Sequence, residues 1–98
     1  MRIAQSEEYQ GDDWWKWSVW IDATDQELDK IVSVTYTLHP TFREPVKKMT
    51  DRGSKFRLST MGWGIFTLYA LVEFTDGHSR KLSHALKLHY PDGTETQA

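Results

Sequence analysis

The chain has 98 residues, about the length of one domain, and its 12 Lys and Arg against 14 Asp and Glu give a formal net charge of −2. This balance offers no general attraction for nucleic acid or an anionic membrane surface, and no apolar run approaches the ~20 residues that span a bilayer. The absence of cysteine excludes disulfides and thiolate chemistry. The first residues lack the apolar segment of a secretory signal. We therefore expect one cytoplasmic domain over residues 1–98, with neither nucleic acid nor membrane as a partner.

The first half of the chain alternates as strands do. Residues 3–9 alternate weakly and predict a short edge strand, followed by a turn signal at 11–13. Residues 14–21 alternate strictly, so one face should be core; it carries Trp15, Trp17, Val19 and Ile21. After room for one helical turn around 26–29, the β-branched segment 31–38 predicts another strand. Its core face should carry Val32, Val34, Tyr36 and Leu38.

The second half predicts further strands separated by turns. A short strand at 56–58 should lead into a glycine-rich corner, and the longest apolar run, 66–74, should follow as a strand. Asp76-Gly77 predicts a two-residue type I′ hairpin turn, with a returning strand over 79–89 and a frayed polar tail at 90–98. About seven to eight strands with no long helix predict an all-β fold, an immunoglobulin-like antiparallel β-sandwich.

Catalytic and metal-binding patterns are absent from the sequence. The four histidines, at 39, 78, 84 and 89, have no spacing that suits a metal pair, and no carboxylate pair accompanies them. There is no Gly-x-Ser-x-Gly elbow, and Gly62-x-Gly64 lacks the third glycine of a phosphate loop. We therefore expect no catalytic residue, no metal and no cofactor, and a protein that is not an enzyme.

Two corners stand out as a candidate binding slot. In the segment 39–42, Pro40 stiffens a loop that presents the Thr41 hydroxyl and the Phe42 ring. In the segment 61–66, glycines around Trp63 should allow a turn with positive φ and leave backbone N–H groups uncovered. A hydroxyl, a free N–H and two facing rings suit a neutral planar amide, since the hydroxyl and the N–H can pair with its polar atoms. A cationic guest would need a carboxylate, and neither corner supplies one. The alternative is that both corners are structural turns with aromatic plugs.

These corners, with the strands around them, resemble the YEATS domain. The matching segments run in order over residues 14–89: Trp17-Ser18-Val19-Trp20-Ile21, Leu38-His39-Pro40-Thr41-Phe42, Gly62-Trp63-Gly64-Ile65-Phe66 and His84-x-Leu86-x-Leu88. His-Pro-Thr-Phe and the short length look most like the prokaryotic branch of the family. The resemblance implies an immunoglobulin-like sandwich and a reader of acylated lysines, chiefly acetyl- and crotonyl-lysine, that performs no catalysis.

The resemblance also implies a role for each site residue. Phe42 and Trp63 would be the rings that sandwich the acyl chain, and the Trp63 N–H would donate to its carbonyl. Thr41 would replace the family serine that hydrogen-bonds the amide. His39 would hold the loop, and Phe66 would lie at the base of the pocket. Two glycines would permit the turn: Gly62 and Gly64.

The sequence departs from the reader pattern at three points. Thr41 carries an extra methyl, Ile65 stands where readers often have glycine or an acidic residue, and the first-loop aromatic aligns near Asp13, with Trp14 as a substitute. The implied partner is an acylated protein or peptide, with an effector domain fused or associated. The alternative is a structural, assembly or sensor-adaptor module of a larger bacterial protein with a closed pocket. Its aromatic interaction face would consist of Trp14, Trp20 and Tyr69.

Overall fold

Seven antiparallel strands form two sheets that pack face to face, as shown by a computed structural model describing residues 1–97. The predicted β-sandwich is therefore confirmed. The first sheet has the order β1-β2-β5 and the second the order β4-β3-β6-β7. The strands are β1 (Arg2–Gly11), β2 (Trp14–Asp22), β3 (Ile31–Thr37), β4 (Val46–Met49), β5 (Leu58–Gly62), β6 (Thr67–Phe74) and β7 (Ser79–Ala85). One α-helical turn, α1 (Asp25–Leu28), precedes β3, and a 3₁₀ turn (Arg52–Ser54) precedes β5.

The core lies between the sheets and follows the alternation of the strands. On β2 the predicted inward residues are all buried: Trp15, Trp17, Val19 and Ile21. Trp14, on the opposite face, exposes 38% of its surface. Period-two patterning thus assigned the correct face of this strand, because successive side chains of a strand point to opposite sides of the sheet. No helix among the residues described is long and apolar enough to cross a membrane.

On β3 the predicted core face is wrong at one position. Val32 is 53% exposed, whereas Ile31 and Ser33 are buried. The pairing of β3 with β6 shifts between Ile31 and Ser33, which indicates a bulge. An extra residue in one strand reverses the alternation beyond it, so Val32 faces out while Val34 remains in the core.

The β6–β7 hairpin turn differs from the prediction, whereas the turn predicted at 11–13 is present between β1 and β2. At the β6–β7 turn only Gly77 has a positive φ, +91°, and Phe74 N–H donates to the His78 carbonyl at 2.9 Å across a three-residue loop. This geometry is a longer hairpin loop ending in a left-handed glycine, and the type I′ prediction was wrong. Two successive positive φ values occur instead at Asp12 and Asp13, 53° and 55°, between β1 and β2. Aspartate tolerates this conformation better than most residues.

As far as residue 97 the polar tail is folded, contrary to the prediction that it frays. β7 ends at Ala85, but the chain continues along the core and buries Leu88 completely. Tyr90 N–H donates to Thr94 O at 2.8 Å, and Thr96 N–H donates to Leu88 O at 2.9 Å. The Trp15 indole N–H donates to His89 O at 2.8 Å, so the first core strand holds the last segment of the chain.

His84 lies on β7 and contacts Gln5 of β1, and we expect its titration to couple folding to pH. Its Nε2 lies 2.7 Å from Gln5 Oε1, which also accepts from the Lys87 N–H at 3.1 Å. Burial, with a smaller effect from the Arg2 charge, lowers the pKa of His84 below its ordinary value of 6.5. Because the folded pKa lies below the unfolded one, the stabilisation is fully present above pH 6.5 and is lost as pH falls through the folded pKa.

We therefore expect the free energy of unfolding to fall as the pH drops below 6.5, the ordinary histidine pKa. His84→Gln removes the titrating group and keeps a side chain able to hydrogen-bond Gln5, so its pH dependence should be flatter. Urea unfolding of both proteins at several pH values measures the difference. Identical slopes for the two proteins would show that His84 does not couple folding to pH.

Candidate functional site

A cavity of about 390 Å³ opens at one end of the sandwich, between the loop after β3 and the corner after β5. All seven residues predicted for the site line it: His39, Thr41, Phe42, Gly62, Trp63, Gly64 and Phe66. The structure thus brings two segments 20 residues apart to one place. Their role in binding a ligand remains a prediction.

The cavity is open to solvent, whereas the alternative interpretation assumed a closed pocket. The aromatic face of that alternative is not assembled either. Trp14 and Trp20 lie on β2 of the first sheet, whereas Tyr69 lies on β6 of the second. Trp14 is itself a wall of the cavity, and the Trp20 ring is covered by the Arg57 guanidinium at 4.7 Å.

Hydrogen bonds within and beside the 39–42 loop hold it in a fixed conformation. Leu38 N–H donates to Pro45 O at 2.7 Å and Phe42 N–H donates to His39 O at 3.0 Å, which closes the loop at both ends. The imidazole Nδ1 of His39 accepts the Thr41 N–H at 3.2 Å and lies 2.9 Å from the Thr41 hydroxyl. With Nδ1 as the acceptor, the hydroxyl hydrogen points to the imidazole and the Thr41 oxygen keeps its lone pairs for a ligand donor.

The two predicted rings differ in how they are held. Phe42 is half-buried and packs edge-on against the buried Trp17, with centroids 6.2 Å apart and planes at 89°. It also contacts Phe66 at 5.6 Å. Trp63 exposes 58% of its surface and lies at the rim. One wall of the cavity is therefore part of the core packing, while the other presents most of a ring to solvent.

The two glycines of the corner do not act as predicted. Neither Gly62 nor Gly64 has a positive φ, so the expected left-handed turn was wrong. Gly62 instead provides space: a Cβ there would lie 3.5 Å from Trp17 Nε1 and 3.7 Å from Phe42 Cζ. A Cβ at Gly64 would meet nothing within 4 Å. Within residues 1–97 the Trp63 N–H has no hydrogen-bond partner, which agrees with the prediction of an uncovered donor at this corner.

Four further residues line the cavity that the sequence did not assign to it: Trp14, Arg43, Met61 and Ile65. The pairing of β2 with β5 explains Trp14, because Trp15 lies opposite Gly62 and places its neighbour beside the glycine corner. The available signal was the alignment of Trp14 near the first-loop aromatic of reader domains. Arg43 directly follows Phe42 in the loop, so its position in the sequence could have indicated that it lines the cavity.

The lining is largely apolar, with a few polar groups at one side. It contains one cation, Arg43, and no carboxylate. Apolar walls with a small number of placed polar atoms are typical of sites that bind small organic groups. Among residues 1–97 no group of three or more acidic or histidine side chains is arranged to hold a metal ion.

A second, larger groove of about 780 Å³ runs over the first sheet and differs in character. Its lining is rich in polar and charged side chains, including Glu8, Lys16 and Arg57. Ser18 and Ser59 already pair there at 2.8 Å. The end cavity, with its apolar walls and unpaired N–H, is therefore the better candidate for a specific site.

The model of the prokaryotic YEATS domain matches residues 15–87. This chain belongs to that family. The YEATS assignment made from the two corner motifs is confirmed. The match includes both segments that form the cavity, from the loop at 39–42 to the corner at 61–66.

Individual proteins agree with this YEATS assignment. Transcription initiation factor TFIID subunit 14 of Schizosaccharomyces pombe is 35% identical in an alignment 66 residues long that covers 63% of this chain and 27% of that protein. This chain therefore matches only about a quarter of the length of that relative.

Two solved structures show the same fold. The Yaf9 YEATS domain recognising an H3K122suc peptide has a TM-score of 0.76 at 21% identity, over 96% of this chain and 74% of that chain. The Yaf9 YEATS domain bound to H3K27ac has a TM-score of 0.72 at 20% identity, over 97% of this chain and 78% of that chain. At these identities the likeness concerns the fold.

Proposed function

We propose that this YEATS domain is a non-enzymatic recognition module that binds an acylated lysine, or a similar neutral acyl amide, between Phe42 and Trp63. The observation that carries the proposal is the open end cavity, which combines aromatic walls with a hydroxyl and an unpaired backbone N–H. The recognition of H3K122suc and the binding of H3K27ac by Yaf9 YEATS domains of the same fold support it.

The polar atoms of the cavity complement an amide. The Thr41 oxygen accepts the amide N–H, because its own hydrogen is directed to His39. The Trp63 N–H donates to the acyl carbonyl, and the acyl chain passes along the Phe42 ring. Both polar atoms of the guest are then satisfied, so burying the amide avoids the penalty of an unpaired polar group.

Charge provides discrimination against unmodified lysine. An ammonium in the cavity would lie near the Arg43 cation, and the lining offers no carboxylate to compensate. Acylation removes that charge and creates the amide that the polar atoms fit. The preference for acylated lysine therefore follows from desolvation and hydrogen bonding together.

The Thr41–His39 pair resembles a nucleophile and its base, but catalysis requires more. In such arrangements a third group, usually a carboxylate, orients the base. The lining provides none, and His39 Nδ1 already accepts the Thr41 backbone N–H at 3.2 Å. The pair fits a fixed hydrogen-bonding role.

The partner in this proposal is an acylated protein or peptide in the cytoplasm. An effector domain, fused or associated, responds when the acylated lysine is bound.

Titration of matched peptides tests the proposal. Peptides carrying acetyl- or crotonyl-lysine should bind with micromolar to millimolar Kd, since hydrogen bonds and ring contacts of this kind contribute about 1 kcal/mol each. The same peptide with unmodified lysine should bind at least about tenfold more weakly, the ratio that 1.4 kcal/mol produces. Calorimetry or chemical-shift titration gives the ratio. Equal binding of modified and unmodified peptides would reject acyl recognition.

A further inference from the structure

The indole N–H of Trp17 is buried and has no hydrogen-bond partner. Trp17 is 2% exposed, and its Nε1 is completely enclosed. Trp15, two residues earlier on the same strand, shows the usual arrangement, because its N–H donates to His89 O at 2.8 Å. A buried indole normally finds an acceptor, so the orphan donor of Trp17 requires an explanation.

This donor lies directly behind the inner wall of the cavity. A Cβ at Gly62 would lie 3.5 Å from Nε1 and 3.7 Å from Phe42 Cζ, and both residues line the cavity. The Trp17 ring also packs against Phe66, with centroids 5.9 Å apart. Any residue other than glycine at 62 would place a side chain against the nitrogen. Because glycine has no side chain, residue 62 places fewer atoms between the cavity and the N–H than any other residue would.

We propose that this inner end is a subsite for an acyl chain that carries a neutral oxygen, a hydroxyl or keto group, which accepts the Trp17 N–H. The inference rests on the proposed function, since the amide must first be held by Thr41 and Trp63. It goes further by assigning a chemical class to the acyl group. A chain made only of carbon and hydrogen leaves the buried donor unpaired, and a chain with a suitably placed oxygen satisfies it.

The oxygen that this subsite accepts is neutral. The Trp17 ring packs against the rings of Phe42 and Phe66, and a single N–H does not compensate a carboxylate placed among apolar rings. The cation of the site, Arg43, is exposed and belongs to the 39–42 loop region rather than to the strand that carries Trp17. A carboxylate-bearing acyl chain, such as succinyl, should therefore turn to Arg43 and leave the indole unpaired.

The binding test compares acyl-lysine peptides of equal chain length: butyryl, 3-hydroxybutyryl, 4-hydroxybutyryl and succinyl. We expect at least one of the two hydroxybutyryl peptides to bind about tenfold more tightly than butyryl, the typical effect of pairing one buried donor. If neither hydroxybutyryl peptide exceeds butyryl while all acylated peptides exceed unmodified lysine, the subsite is refuted and the reader function stands. If no acylated peptide exceeds unmodified lysine, both proposals fall.

Indole N–H resonances provide a direct readout. The chain has five tryptophans, and Trp17→Phe identifies the Trp17 signal by its loss from the nitrogen–proton spectrum. That signal should move downfield with the tighter hydroxybutyryl peptide and much less with butyryl or succinyl. Equal shifts with butyryl would mean that the change does not come from a new hydrogen bond, which would overturn the assignment.

A pair of glycine variants separates the subsite from the rest of the corner. Gly62→Ala places a methyl 3.5 Å from the nitrogen without a clash, so the hydroxybutyryl-to-butyryl ratio should fall to about one. Gly64→Ala adds the same methyl to the same corner in open space, and the ratio should persist. Thermal unfolding confirms that both variants are folded. Retention of the full ratio in Gly62→Ala would contradict the proposal.

Discussion

Replacing Trp63 with alanine should weaken the binding of acylated peptides by about 30-fold or more, the ~2 kcal/mol typical of an interface tryptophan at a hot spot. The fold should hardly change, because Trp63 exposes 58% of its surface and lies outside the core. Surface substitutions of this kind usually alter stability by less than about 0.5 kcal/mol. Peptide titration together with urea unfolding measures both quantities on one variant.

Tyr69→Ala is the matched control for this variant. Tyr69 is 56% exposed, almost the same as Trp63, but it lies on β6 and does not line the cavity. Its loss should leave peptide binding within about twofold of the original, since distant and independent sites rarely couple. A similar loss of affinity in both variants would indicate that peptides adhere to exposed rings in general, and the cavity would no longer explain binding.

Trp15→Ala should have the largest effect on stability, a loss of about 3–5 kcal/mol in the free energy of unfolding. Trp15 is fully buried, packs against Tyr9 and Tyr90 at centroid distances of 5.0 and 5.2 Å, and donates to His89 O. Its removal leaves a cavity, breaks an aromatic cluster and releases the tail. A typical domain has a free energy of unfolding of about 5–15 kcal/mol, so this loss would remove much or all of the net stability. Urea unfolding measures it.

Trp20→Ala on the same strand provides the comparison. Trp20 faces outward, is partly exposed, and its ring lies beneath the Arg57 guanidinium. Its truncation should cost less than about 1.5 kcal/mol, because an exposed cation–π contact contributes about 0.5–1 kcal/mol. If both substitutions destabilise the protein equally, the assignment of core and surface faces on β2 is wrong.

The proposed recognition mechanism depends on the difference between the two walls of the cavity. Phe42 is held by Trp17 and Phe66, whereas Trp63 is exposed at the rim beside an unpaired N–H. A preformed wall limits the ordering that binding requires, and an exposed ring supplies apolar area that the ligand covers. In this proposal Thr41, oriented by His39, selects the amide. The proposal therefore predicts that affinity depends mostly on Trp63 and selectivity on the polar atoms.

Several features of the fold and the site could be predicted from the sequence because they depend on neighbours along the chain. The alternation of residues 14–21 assigned the core face of β2, since the side-chain period of a strand is two. The stiffness of the 39–42 loop follows from Pro40, and the choice of the site residues followed from the family resemblance of two short motifs. Where the prediction failed, a distant partner decided the outcome. The β3 bulge, which turns Val32 outward, is a property of the β3–β6 pairing, and the hairpin loop at Asp76-Gly77 was set by the register of β6 and β7.

The composition and periodicity of the chain, read alone, determined a β-sandwich with an aromatic core. Only the tertiary structure showed that the polar tail is fixed by Trp15, that Trp14 joins the cavity through the pairing of Trp15 with Gly62, and that the Trp17 N–H is left without an acceptor. The physical reason is the same in each case. Faces and turns arise from local geometry, whereas strand register, hydrogen-bond satisfaction and the space beside a glycine depend on residues far away in sequence.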